Sequence, residues 1–213
     1  MRILIVGAGG HAHVVADILL RAREAGAGLA PVGLVDDDER LVGSVVLGLP
    51  VVGTIAGLGR VPHDVVVVAI GDNATRKRLF ERLRDGGERF AIARHPSAVI
   101  ASDVVIGDGT MVCAGAIVNP GSVVGANAIL NTACSVDHHN HVGDHAHVAP
   151  GAHTASGVRI DEGALLGVGA AVVPGVRIGA WSRVGAGAAV IDDVPDGITV
   201  AGVPARPLRA ARR

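Results

Sequence analysis

The chain has 213 residues, 49% of them hydrophobic, and a formal net charge of −1, which suits one or two domains with a buried core. No basic run precedes Arg206, Arg209, Arg212 and Arg213, so nucleic acid is excluded as the expected partner. No signal peptide is expected from a start that turns to glycine at Gly7, and Cys113 and Cys134 lack disulfide or metal spacing, as in a cytoplasmic protein with reduced thiols.

Arg2 to Val6 reads as a short buried strand, followed by Gly7-Ala8-Gly9-Gly10-His11 and a helical pattern in Val14, Val15, Ile18 and Leu19. Glycines there let the backbone approach a ligand, and the helix N-terminus offers free N–H groups to a phosphate. A second strand, Val32 to Val35, ends in Asp36-Asp37-Asp38, and a third, Val65 to Ile70, ends in Gly71-Asp72-Asn73. Both tips belong at the carboxyl edge of a parallel sheet, where open α/β sheets bind ligands. Asn73 to Gly86 predicts an amphipathic helix whose Lys77, Arg78, Glu81, Arg82 and Arg84 form a solvated face.

A last strand around Phe90 to Ala93 leads through His95-Pro96 into the second domain. Gly7-x-Gly9-x-x-Ala12 fits a dinucleotide fingerprint, with Asp36 at about the distance where an acidic residue holds a ribose. About 95 residues supply one mononucleotide-binding half rather than two, so a nucleotide-sugar fits better than NAD.

From Val99 to Val194 the chain is a six-residue repeat. Every sixth residue from Ile100 to Val190 is aliphatic except Thr154, and four places later comes a mostly small register: Ala116, Ser122, Ala128, Cys134, Asn140, Ala146 and onward. A period of six matches neither helix nor simple strand and predicts a parallel β-helix of about five triangular coils. The uncharged stretch Gly109 to Val136 contains Asn119, Pro120, Asn127 and Asn131, so no membrane span is expected. Beyond Pro195 the repeat stops, and residues 195–213 are expected to cap the last coil. The expected domains are thus 1–95, 96–194 and the tail.

Six of the ten histidines lie between positions 138 and 153. For His139, His141, His145 and His153 the plain reading is polar decoration of an exposed face. A metal site lacks a defined spacing, and none is expected. The remaining reading is a general base at a subunit boundary.

Gly7-Ala8-Gly9-Gly10-His11, Val35-Asp36-Asp37, Ala69-Ile70-Gly71-Asp72-Asn73, His95-Pro96-Ser97, Asn131-Thr132, Val136-Asp137-His138, His147-Val148-Ala149-Pro150-Gly151-Ala152 and Gly202-Val203-Pro204-Ala205 occur in this order. Together they resemble the hexapeptide-repeat sugar acyltransferases of bacteria, which modify nucleotide-linked amino sugars or sialic acid. The resemblance implies a left-handed β-helix, a homotrimer with acetyl-CoA between neighbouring β-helices, and a UDP- or GDP-linked amino sugar on the N-terminal domain. It implies His138 as catalytic base, with His147, Val168 and Ala186 on acetyl-CoA. Gly9, Gly10, His11, Asp36, Asp37, Gly71 and Asn73 fall on the nucleotide-sugar side. Relatives commonly carry an acidic residue directly after the base; this chain has His139 there, and Asp137 or Asn119 could orient His138 instead, so the expected catalytic residues are His138, Asp137 and His139.

The expected reaction is direct N-acetyl transfer, with no acyl-enzyme on either cysteine. The alternatives are O-acetylation of a sialic-acid-type sugar, a non-catalytic β-helix that binds nucleotide-sugars, and a nucleotide-dependent oxidoreductase resting on the Gly7 turn alone.

Overall fold

A computed structural model describes residues 1–208; Arg209, Arg212 and Arg213, part of the C-terminal basic group, lie outside the described residues. The N-terminal elements are β1 (Arg2–Val6), α1 (Gly10–Glu24), β2 (Ala30–Val35), β3 (Val45–Val46), β4 (Leu49–Gly53), β5 (Val65–Val68) and α2 (Asn73–Asp85). They build a five-stranded sheet of order β3-β4-β2-β1-β5, parallel except for the β3–β4 hairpin. β5 is Val-Val-Val-Val and buried throughout, as a strand covered on both faces must be. One face packs on Val15, Ile18 and Leu19 of α1, the other on Phe80 and Leu83 of α2. The hairpin β3–β4 carries no strong alternation in the sequence and was not anticipated. Phe90 makes only an isolated bridge to Val66, and Ala93–Arg94 already stacks on the first coil of the second domain.

From Val99 to Val190 sixteen two-residue strands follow at intervals of six. Each of the first thirteen, up to Ala171–Val172, pairs in parallel with the strand eighteen residues on, as in Ile117↔Ser135, Val123↔His141 and Ile129↔His147. The result is a three-sided prism. Face A holds the strands Val99–Ile100, Ile117–Val118, Ser135–Val136 and those above them; face B holds Val105–Ile106, Val123–Val124, His141–Val142 and so on; face C holds Met111–Val112, Ile129–Leu130, His147–Val148, Leu165–Leu166 and Arg183–Val184. Both repeating registers point into the prism, and residues such as Val118, Leu130, Val136, Ala116 and Ala146 are essentially inaccessible. Each buried Val, Leu or Ile contributes about 1.5–3 kcal/mol.

A third register makes the corners. Every sixth residue from Gly109 to Gly187 has positive φ, and at Asn127, Ala133, His139, His145 and Trp181 that position is not glycine. A left-handed conformation costs an L residue about 1–2 kcal/mol.

Met111 and Ile129 point outward from face C, yet are buried because the α/β domain packs there. At the far end Thr199–Ala201 adds a further rung to face C, and Arg206–Pro207 folds back against it antiparallel.

Candidate functional site

The glycine turn lies between the tips of β1, β2 and β5. Gly7 has φ +106°, a backbone conformation that strains any L side chain, and a Cβ there would also crowd the Ala69 carbonyl oxygen at 3.2 Å. Asp36 Oδ2 accepts from the Ala8 N–H at 2.7 Å and its Oδ1 from the Asp38 N–H at 2.8 Å, which ties the acidic tip to the glycine turn. Asp37 accepts from the Ile55 N–H. Gly9 precedes α1, and Gly9 and Gly10 are exposed, with no acidic side chain in the first turn.

A cavity of about 530 Å³ opens here, lined by Gly7, Asp36, Asp37, Ile55, Ile70, Thr75, Arg78, Leu79 and Arg82. Arg78 and Arg82 are therefore more than a solvated face. They stand one helical turn apart on α2, because Phe80 and Leu83 bind the helix to the sheet and leave those cations facing the strand tips.

α2 also crosses to the β-helix. Arg76, which the sequence pattern did not single out, is fully buried. Its guanidinium donates to the carbonyls of Ile70 (3.1 Å), Asn127 (2.9 Å) and His145 (2.7 Å) and to Asn73 Oδ1 (3.0 Å). Burial lowers its pKa to about 10, against the pull of Asp72. Asn73 Nδ2 reaches the Gly163 carbonyl at 3.1 Å, and Lys77 pairs with Glu162. The α/β domain thus clasps the corner between faces B and C. His145 belongs to that corner: it is buried under Phe80 and hydrogen-bonded to Asn127, contrary to the exposed decoration expected of it.

His147 and His11 share this dry seam. His147 Nε2 accepts from Asn131 Nδ2 at 3.0 Å, leaving its proton on Nδ1. Burial, then the charge of Arg76, lowers His147 to about 3 and His11 to about 4. His11 Nε2 is buried without a partner among the described residues. A second cavity of about 140 Å³ is lined by Gly71, Asp72, Asn73, Ala74, His147, Gly163, Leu165, Trp181 and Arg183. Trp181 sits at one of the non-glycine corners with its ring over Gly163, and like Arg183 it was not anticipated.

His138 and His139 lie elsewhere, at the corner between faces A and B, and both are exposed. Their Nδ1 atoms are 2.8 Å apart. Asp137 does not touch the His138 ring; its Oδ1 accepts from the His138 backbone N–H at 2.7 Å and from Asn119 Nδ2 at 2.8 Å, and the Asn119 bond first, then the His138 N–H, lowers its pKa. Val168 and Ala186 are exposed at the third corner, between faces C and A. The expected residues therefore group as a glycine-turn cavity, a dry seam ending at His147, the Val168–Ala186 corner and the His138 corner. Cys113 and Cys134 are buried, and burial raises both thiols to about 12, which suits neither for attack.

Residues 2–83 match the PglD N-terminal domain family. The chain is 37% identical to the acetyltransferase domain of PglB from Neisseria gonorrhoeae, over 97% of this chain and 99% of that one, with a TM-score of 0.88. It belongs to the hexapeptide-repeat sugar acyltransferases. The left-handed β-helix behind a half-Rossmann domain is the fold of this family. The same Neisseria domain has been solved with acetyl coenzyme A. PerB from Caulobacter crescentus, solved with CoA and GDP-perosamine, is 41% identical, covers 98% of each chain and has a TM-score of 0.89. The UDP-N-acetylbacillosamine N-acetyltransferase of Bacillus subtilis is 41% identical over 111 residues, so the match spans only 50% of that protein and 52% of this one. Among the described residues no helix is long and apolar enough to cross a membrane.

Proposed function

We propose that the chain transfers an acetyl group from acetyl-CoA to the amine of a UDP- or GDP-linked amino sugar. The observation that carries this reading is the end-to-end likeness to PerB, solved with CoA and GDP-perosamine together. The nucleotide belongs in the 530 Å³ cavity, which Asp36 and Asp37 line and where Arg78 and Arg82 offer charge to a diphosphate; Gly9, Gly10 and His11 at the start of α1 lead from it towards the sugar, and Gly71 and Asn73 line the smaller cavity beside His147. Acetyl-CoA runs along the corner of Val168 and Ala186 towards His147. His147, held neutral by its dry surroundings, presents Nδ1–H to the thioester carbonyl oxygen.

His138 Nε2 takes the proton from the sugar amine as the nitrogen attacks that carbonyl. A backbone N–H supports the oxyanion while the C–N bond forms. The C–S bond then breaks, and the leaving thiolate recovers the proton from His138. The chain divides for these tasks near residue 95, with the described part of the tail, residues 195–208, capping the coil. The setting is cytoplasmic, in keeping with two buried unpaired thiols.

Within one chain His138 and the Val168–Ala186 corner stand on opposite edges of face A. A homotrimer that buries this face brings one subunit's base to its neighbour's thioester. Exposed Val99 (63%) and Ile117 (38%) on face A, with Val105 (60%) and Val123 (41%) beside it, supply the apolar contact.

The test is thiol release from acetyl-CoA with a panel of UDP- and GDP-linked amino sugars beside free sialic acids. Turnover with an amino sugar, falling by a factor of about 10²–10⁴ in His138→Ala, is expected. Turnover with sialic acids alone makes it an O-acetyltransferase; none at all leaves a binding protein. A monomer by sedimentation would break the shared site.

A further inference from the structure

We propose that His139 is the positioning partner of His138, forming a two-histidine pair that takes up a single proton during catalysis. This deepens the reading of His138 as base and rests on it. Three observations point the same way. First, His138 Nδ1 and His139 Nδ1 are 2.8 Å apart, which requires one N–H and one lone pair. Second, His139 occupies a left-handed corner, φ 56°, where the residues eighteen before and eighteen after, Gly121 and Gly157, are glycine. A side chain is kept here at a conformational cost that glycine would avoid. Third, its ring fills the space over Gly121, where an added Cβ would lie 2.8 Å from His139 Cδ2. The ring is thereby seated edge-on to His138, with the two planes 89° apart.

The tautomers follow. For His138 Nε2 to accept the amine proton, Nδ1 must carry hydrogen and donate to His139 Nδ1, whose own proton then sits on Nε2. Once Nε2 is protonated, the Nδ1 proton can pass to His139, leaving His138 neutral and His139 cationic; the reverse shift returns the charge for delivery to the thiolate. The pair resists a second added proton because two cations would face each other across that contact.

Among the described residues the other titratable groups of this corner column are Asp137, held on the His138 backbone N–H, Asp103, whose Oδ2 accepts from the Gly121 N–H, and, three rungs above the pair, Asp192 and Asp193. The corner above, Ala155 to Val158, carries none, and its Gly157 N–H bonds to the His138 carbonyl.

The experiment compares wild type with His138→Ala, His139→Gly and His139→Glu, reading kcat, both KM values, the pH profile of kcat/KM and the melting temperature. Glycine suits the corner, so His139→Gly is expected to melt no lower than wild type, with kcat down about 10-fold to 100-fold and the KM for acetyl-CoA unchanged. His139→Glu is expected to recover most of kcat and to move the acidic limb to higher pH, because a carboxylate stabilises the His138 cation. The acidic limb of wild type should fall with the slope of one proton. A His139→Gly enzyme with wild-type kcat and acidic limb overturns the pair while leaving His138 as base. Full activity in His138→Ala overturns the base itself, whatever His139 does.

Discussion

Two groups of histidines only a few residues apart in sequence live in opposite media. His145 and His147, with His11 from α1, lie in a dry seam beside a buried guanidinium, whereas His138 and His139 stand in water at the corner between faces A and B. The dry group cannot hold a second proton, since desolvation and Arg76 both oppose it. The neutral ring of His147 accepts from Asn131 on Nε2 and has its donor on Nδ1. His138 and His139 face solvent on the single chain, where an approaching amine can reach them. Position relative to the α/β domain, more than residue type, assigns the work.

The sharpest way to test the contrast is to remove one member of each group. His138→Ala should lower kcat by the 10²–10⁴ factor given above with little change in stability. Arg76→Ala should do the reverse. It strands the Asn127 and His145 carbonyls at a buried junction, and the expected loss of unfolding free energy is about 3–5 kcal/mol, read by denaturant titration. A stability loss under 1 kcal/mol would mean that the two domains do not depend on the clasp.

A pH titration of stability separates the groups next. The folded pKa values of His11 and His147, about 4 and about 3, lie below the unfolded value of 6.5. The unfolded chain therefore binds more protons than the folded one as pH falls below 6.5, so their contribution is complete above that pH and is lost on acidification. The expected slope is about 1.4 kcal/mol per pH unit for each histidine between roughly pH 6 and 4.5. His147→Gln should flatten it, while His138→Ala should leave it unchanged. At the surface edge of the seam the effects shrink: Lys77→Ala breaks the pair with Glu162 and its contact over Trp181, 5.5 Å from the ring centroid, for a loss of about 1 kcal/mol or less.

The inward registers of the β-helix were legible because each face of the prism enforces a single rule, aliphatic then small, at every sixth residue. Thr154, the one exception, is explained inside the prism, where its Oγ1 accepts from Asn140 Nδ2 at 2.7 Å. The corner register was equally periodic but went unread, although glycine stands there at Gly109, Gly115, Gly121, Gly151, Gly157, Gly163, Gly169, Gly175 and Gly187. Reading it would have marked His139, His145 and Trp181 as departures. Arg76 was hidden for another reason. It sits among basic residues on an amphipathic helix, and only the second domain, closing over that side, turns one of them into a buried clasp. The same closure buried His145, whereas the cavity that Arg78 and Arg82 line is built within the first domain by the strand tips and α2.

The eighteen-residue coil sets a rule for how such a chain can change length. An insertion of six residues would preserve every inward side chain and still fold as a prism, yet it would carry all that follows onto the next face. His138 and His147 are nine residues apart, half a coil, so their separation around the axis is fixed by counting alone. Lineages of this architecture can therefore lengthen or shorten freely only in whole coils, and a six-residue indel placed between these two histidines would be tolerated by stability and eliminated by function.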